Sequence, residues 1–340
     1  APLHPSRQFT SKAMTHLRFR FPIFIALLAV STFVFCKYAQ KASTPTTSTT
    51  TTTEMPESPV IPPGDYAREW AEIDSLERQG LFKSALERSE ALYNRAKADR
   101  NQPQIIKTLV YRGKFATYLE EDGIIKAVQQ LEDEEKQAPQ PEKAVLQSLL
   151  CELNATYLQN QGWRIRERTP VPDGEGGDIL TWSAEQIERR AMDFYRASVE
   201  RRALLLETPV SWLDPLLIPG KNDSIGKEPI RPGLYDFLVH RALEYFSDER
   251  SYLTEPAYKF YLDQPEAFEP RDIFVKSNFA TRDSSSGKWM AIRLFQELLQ
   301  RPVKMQSIPG QPGKIVQQDT AALVSNDLLR LQFANPTVPH

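Results

Sequence analysis

The sequence predicts a mainly α-helical fold: a solenoid of repeated helical hairpins, followed by a less regular helical region. Three observations carry that expectation. From Asp65 onward, apolar residues recur at three- and four-residue spacing over successive runs. A short pattern repeats with a period near 40 residues. The chain holds 26 prolines against 14 glycines, and the prolines cluster outside the helical runs, where they cost no helical hydrogen bond.

The elements follow in order. Asp65 opens the first helix; Trp70, Ile73 and Leu76 recur along it, and Gly80 stops it. A second helix over residues 82–98 carries Ala85, Leu86, Leu92 and Ala96 on one side. Residues 104–121 follow, with Ile105, Leu109, Phe115 and Leu119, and Gly123 is the break. Residues 124–136 and 142–161 complete the set. The repeat runs through these helices. Ala116-Thr117-Tyr118-Leu119 precedes Gly123, and Ala155-Thr156-Tyr157-Leu158 precedes Gly162 at the same offset. Leu76 to Gly80 is a weaker copy upstream. Helix pairs at this period are the pattern of an α-solenoid of the tetratricopeptide (TPR) or HEAT kind, since one pair cannot bury its apolar stripe alone. Gly80-Leu81-Phe82-Lys83-Ser84-Ala85-Leu86 resembles the middle of a tetratricopeptide unit, although the period is too long for a strict one.

Residues 65–165 therefore read as the helical repeat region and 178–340 as a second helical region. Between them, residues 169–177 are rich in Pro, Gly and acid. Ser183 caps a strong helix running to about Leu205, with Gln186 as its capping-box partner. Residues 209–232 read as irregular, 234–247 as an aromatic-rich helix, and 257–278 as mixed. Residues 288–300 and 320–333 are two further helices. The last of these runs almost to the final residue, His340, so the second region reads as the truncated front of a longer protein.

Ahead of the body lies a segment with targeting character. Residues 1–13 read as an upstream extension, with Met14 as the start. Residues 14–42 hold Arg18 and Arg20 followed by the apolar run 21–35, the n-region and h-region of a signal peptide or anchor. The run is shorter than the roughly 20 residues that span a bilayer comfortably, unless the arginines snorkel. Cys36 is a candidate lipid anchor, as in a lipoprotein, although Phe35 stands where such sites need a small residue; an uncleaved anchor is the other reading. Basic residues gather before the run, which places the rest of the chain outside. Residues 43–64 are Thr- and Pro-rich and read as an extended, solvated linker.

No catalytic, cofactor-binding or metal-binding residue emerges from the sequence. Only His240 lies inside the folded body, and it reads as a core-edge or surface residue. No Cys or His pairs have metal spacing. Gly174-Glu175-Gly176-Gly177 lacks the strand and the Lys-Ser/Thr of a phosphate loop, and its acids would repel phosphate. Glu132, Asp133, Glu134 and Glu135 read as a solvated helix face, with no reason for their pKa values to shift. Cys151 reads as a buried structural thiol. Asn154 and Asn222 head N-glycosylation patterns of the kind that arise by chance. Basic and acidic residues nearly cancel, 42 against 44, so nothing electrostatic points to nucleic acid. The expectation is a protein that is not an enzyme and needs no cofactor.

Three stretches carry a family resemblance: residues 74–85; residues 159–169 with Asp178-Ile179-Leu180-Thr181-Trp182; and Arg231-Pro232-Gly233-Leu234-Tyr235 running on to Phe246. Together they resemble the N-terminal helical region of the large bacterial α2-macroglobulin-like proteins. The resemblance covers residues 65–340 and implies a non-catalytic scaffold at the front of a surface-anchored endopeptidase inhibitor in the bacterial cell envelope. Its partners would be proteases, met through the full-length protein, and a membrane, met through the N-terminal segment. The implied location is the periplasmic or cell-surface side. The family's Cys-Gln thioester is absent: Cys151-Glu152-Leu153-Asn154 lacks the flanking Gly and the Gln. The alternative expectation is a stand-alone, membrane-anchored TPR-like adaptor that binds a protein partner.

Overall fold

The helical runs read from the sequence are helices in the computed structural model, with small shifts at their ends. The structure describes residues 63–165, 168, 179–217, 233–247, 258–283, 285–300, 304–307, 315–318 and 320–335. All of them belong to the unit Pro59–His340. The expected extension, the anchor segment with Cys36 and all but the end of the linker lie outside the described residues. No helix among the described residues is long and apolar enough to cross a membrane.

Five helices open the body: α1 (Pro63–Arg78), α2 (Phe82–Ala98), α3 (Gln102–Leu119), α4 (Gly123–Gln137) and α5 (Glu142–Ile165). Pro63 starts α1 two residues before the expected Asp65; proline tolerates the first helical position because that N–H needs no intrahelical partner. Gly80 ends α1 with a φ of 74°, and the N–H of Leu81 closes back on Leu76 O at 3.0 Å. Asn101 caps α3 by accepting from Gln104 N at 3.4 Å. Each of these helices packs on the next in the chain. A Cβ added to Gly113 would come within 3.0 Å of Ala127 Cβ, so two small residues let α3 and α4 approach closely.

α5 is the centre of the body. From Ala144 to Leu153 its sequence is apolar on nearly every side, the pattern of a helix with no solvent face. Ala144, Leu146, Leu150 and Cys151 are fully buried, and Val145, Leu149 and Leu153 nearly so. It packs on α3, α4, α6 and α8. Truncating Leu146, Leu149, Leu150 or Leu153 to alanine should cost about 2–5 kcal/mol.

The second region comprises α6 (Ala184–Glu200), α7 (Arg202–Glu207), α8 (Leu234–Phe246), α9 (Arg271–Phe274), α10 (Gly287–Leu299) and α11 (Thr320–Ala334). The expected capping box at the start of α6 is formed. Gln186 N donates to Ser183 Oγ at 3.3 Å, and Ser183 N donates to Gln186 Oε1 at 2.9 Å. The single helix expected from Ser183 to Leu205 is interrupted at Arg201, which separates α6 from α7. Strands β1 (Lys304–Ser307) and β2 (Ile315–Gln318) form an antiparallel hairpin with Lys304 opposite Gln318. The sequence reading did not anticipate this hairpin.

Residues 258–283 hold little regular structure, so their backbone groups need side-chain partners. Gln296 Nε2 donates to Phe274 O at 3.0 Å and to Ser277 O at 2.8 Å. Trp289 Nε1 donates to Phe279 O at 2.7 Å. Arg330 of α11, 1% exposed, donates to Ala267 O at 2.6 Å and lies over the Phe274 ring at 4.5 Å. α10 and α11 thus hold an irregular segment by its carbonyls.

The two copies of the repeated tetrapeptide sit in different places. Tyr118 is 42% exposed near the end of α3, whereas Tyr157 is 3% exposed within α5. Gly123 starts a helix, and Gly162 lies inside one.

Candidate functional site

The polar chemistry of the described residues concentrates on α5. Its first turn carries Glu142, 2% exposed. Glu134, projecting from α4, is equally buried. Tyr93 Oη donates to Glu134 Oε2 at 2.5 Å, and Lys97 Nζ donates to Oε1 at 2.6 Å. Burial and the Glu134 carboxylate push the Glu142 carboxyl up to about 7, against the opposing pull of Lys97.

This corrects the reading of residues 132–135 as a solvated face. Only Asp133 is exposed. Glu132 accepts from Arg190 of α6 at 2.9 Å, and Glu135 accepts from Gln147 at 2.7 Å and pairs with Lys143 at 3.5 Å. A run of four acids on a helix cannot all face one way: at 100° per residue it wraps round the axis, and three of its members, Glu132, Glu134 and Glu135, meet neighbouring helices.

A second cluster ties α5 to α8. Arg241 Nε donates to Ser148 Oγ at 2.9 Å, and its Nη2 donates to Glu152 Oε2. Arg241 is 8% exposed. Burial opposes its charge, but the Glu152 carboxylate holds the guanidinium above its ordinary value. Cys151 lies beside this cluster, fully buried as expected, and burial pushes its thiol well up, so it is a poor nucleophile.

A third cluster joins α1 to α3. Trp70 Nε1 donates to Gln104 Oε1 at 2.7 Å, and Lys107 Nζ lies 4.2 Å from the Trp70 ring. Burial raises the Asp74 carboxyl and lowers the Lys107 ammonium. Each burial penalty falls on the charged form of its own group.

Between the first turn of α5 and the end of α6 lies an open cavity of roughly 340 Å³. Gln140, Lys143 and Gln147 line one wall; Ala197, Glu200, Arg201 and Leu204 line the other. It mixes both signs of charge with an apolar patch.

His240 is half-buried on α8. Its Nδ1 lies 2.6 Å from Asp236 O, and its Nε2 lies 2.9 Å from Asn326 Oδ1 of α11. A carbonyl can only accept, so Nδ1 carries a proton. The ring braces α8 against α11, which agrees with its reading as a core-edge residue. Asn154 is fully buried and donates to Leu150 O at 2.7 Å, so its glycosylation pattern is closed in the folded chain. Cys36, Asn222 and the 174–177 loop lie outside the described residues. Among the described residues, no group of three His, Cys, Asp or Glu could hold a metal ion.

The sequence reading missed Glu142 and Arg241. The available signal was charge against apolar helix sequence: Glu142 stands two residues before the apolar stretch of α5, and Arg241 lies between Val239 and Ala242. Compared with known protein families, curated proteins and solved structures, the chain matches none.

Proposed function

We propose that this chain is a non-catalytic positional scaffold, the N-terminal part of an exported, membrane-anchored α2-macroglobulin-like endopeptidase inhibitor. In this reading residues 65–165 are stacked helix pairs of the TPR/HEAT-like kind. The Thr/Pro linker and the stack hold later domains away from the membrane, on the periplasmic or cell-surface side. The observation that carries the proposal is how the charges at the helix contacts are used. Arg241, Glu152, Glu134 and Lys97 each pair across two helices. The packing of α1 to α6 in chain order also supports it.

The test is stoichiometric. The purified chain is added to a panel of endoproteases with a protein substrate. Unchanged protease activity is expected; loss of one equivalent of protease per chain overturns the positional role. Membrane retention of a Cys36→Ala variant separates the two anchors: release indicates lipidation, and retention an uncleaved span.

A second reading, a TPR-like adaptor for a protein partner, is favoured by one observation. Leu81, Tyr118 and Leu119 are exposed near the α1–α2 turn and the end of α3, and Phe82 stacks on Tyr118 at 4.6 Å. The reading frame downstream of residue 340 separates the two. β-sandwich patterns of roughly 100 residues each favour the inhibitor, and an immediate stop favours the adaptor.

A further inference from the structure

The turn between α4 and α5 concentrates unmet hydrogen-bond acceptors. Glu142 Oε1 has no partner, and neither do the buried oxygens Gln140 Oε1 and Gln147 Oε1 within the same eight residues. Buried acceptors without donors are rare in folded proteins, because each has given up water for nothing.

The surroundings of Glu142 hold too little positive charge. Glu134 comes from α4, with both oxygens already engaged by Tyr93 and Lys97 of α2. Arg112 of α3 spreads its guanidinium over the Tyr93 ring at 4.7 Å, and its Nε is unpartnered. On the outer side of the turn, Lys143 is committed to Glu135. Lys97 is thus the cation shared by two carboxyls that are each 2% exposed. Two adjacent buried carboxyls cannot both ionise without strong cost.

We infer that the α4–α5 turn is a proton-operated latch, closed while Glu142 is a neutral carboxylic acid and opened when Glu142 becomes a carboxylate. As the acid, Glu142 carries an O–H donor and no charge to set against the Glu134 carboxylate. As the carboxylate it has acceptors only, and Oε1 reaches a donor only by turning toward water. That movement lifts the first turn of α5 from α4. Gln140, Lys143 and Gln147 also form one wall of the cavity against α6, so the cavity changes shape with the latch. The carboxyl titrates at about 7, which places the switch near neutral pH.

The test is hydrogen exchange of the backbone amides of residues 138–148 in the intact chain, followed by mass spectrometry from about pH 5.5 to about pH 8.5 and expressed relative to intrinsic rates. Protection is expected to fall about tenfold with a midpoint near neutrality. Glu142→Gln, which cannot ionise, is expected to stay protected throughout. Lys97→Met removes the cation that favours the carboxylate and is expected to move the midpoint to higher pH. Protection independent of pH overturns the latch. So does a transition that persists in Glu142→Gln, or a midpoint that Lys97→Met leaves in place. If Glu142→Gln does not fold, the direction of the Lys97→Met shift decides.

Discussion

Arg241 donates a 2.9 Å hydrogen bond to Ser148 across 93 residues of sequence, clamping α8 onto α5. The same guanidinium pairs with Glu152 one turn further along α5. Arg241→Met would strand Glu152 against an apolar surface, and removing one partner of a buried pair costs about 3 kcal/mol or more. The expected outcome is a lower urea midpoint for Arg241→Met, with part of the loss recovered in the Arg241→Met/Glu152→Gln double variant. An additive double variant would mean that the two side chains do not act as a pair.

Glu142 makes stability depend on pH in a fixed direction. Its folded carboxyl lies at about 7, above the ordinary 4.5. A raised value means that the folded state holds the proton more tightly, so the contribution is complete below about 4.5 and is lost as pH rises through about 7. The melting temperature of the wild type should fall over that window. Glu142→Gln should remove this part of the fall and melt above the wild type on its alkaline side.

The glycines of the repeated pattern should respond oppositely. A Cβ at Gly123 would overlap the backbone carbonyl of Ala116, which cannot move without distorting α3. A Cβ at Gly162 meets nothing within 4 Å. Gly123→Ala should lose about 2 kcal/mol or more, whereas Gly162→Ala in a helix interior should gain about 0.5–1 kcal/mol. Equal responses in chemical denaturation would show that the two glycines occupy equivalent sites.

Ser183→Ala should cost about 1 kcal/mol by removing the cap of α6. The loss should be local: amides in the first turn of α6 exchange faster, while those of α3 keep their protection. Uniform loss across both helices would contradict a capping role.

Helices were legible where the signal is local. The box of Ser183 and Gln186, the stop at Gly80 and the stripe of α8 each depend on residues within one or two turns. The burial of Glu134 was not legible, because it depends on Tyr93 and Lys97, which lie 41 and 37 residues earlier. The burial of the repeated tyrosines was not legible for the same reason. Ala-Thr-Tyr-Leu followed by Gly recurs in the sequence, but neighbouring helices decide that Tyr118 faces solvent and Tyr157 the core. The β1–β2 hairpin escaped notice because its strands are only four residues each and hold several polar residues, too short to display alternation.

The grip of Arg330 on Ala267 also sets an order in time. The two residues are 63 apart in the chain. During synthesis at about 5–20 residues per second, the segment around Ala267 leaves the ribosome roughly 3–13 s before the guanidinium that satisfies its carbonyl. Throughout that interval Phe274 has no arginine to cover its ring. The helices from α1 to α5 pack on neighbours in chain order, whereas this stretch waits for the chain that follows it. For that interval it is open to a chaperone or a protease.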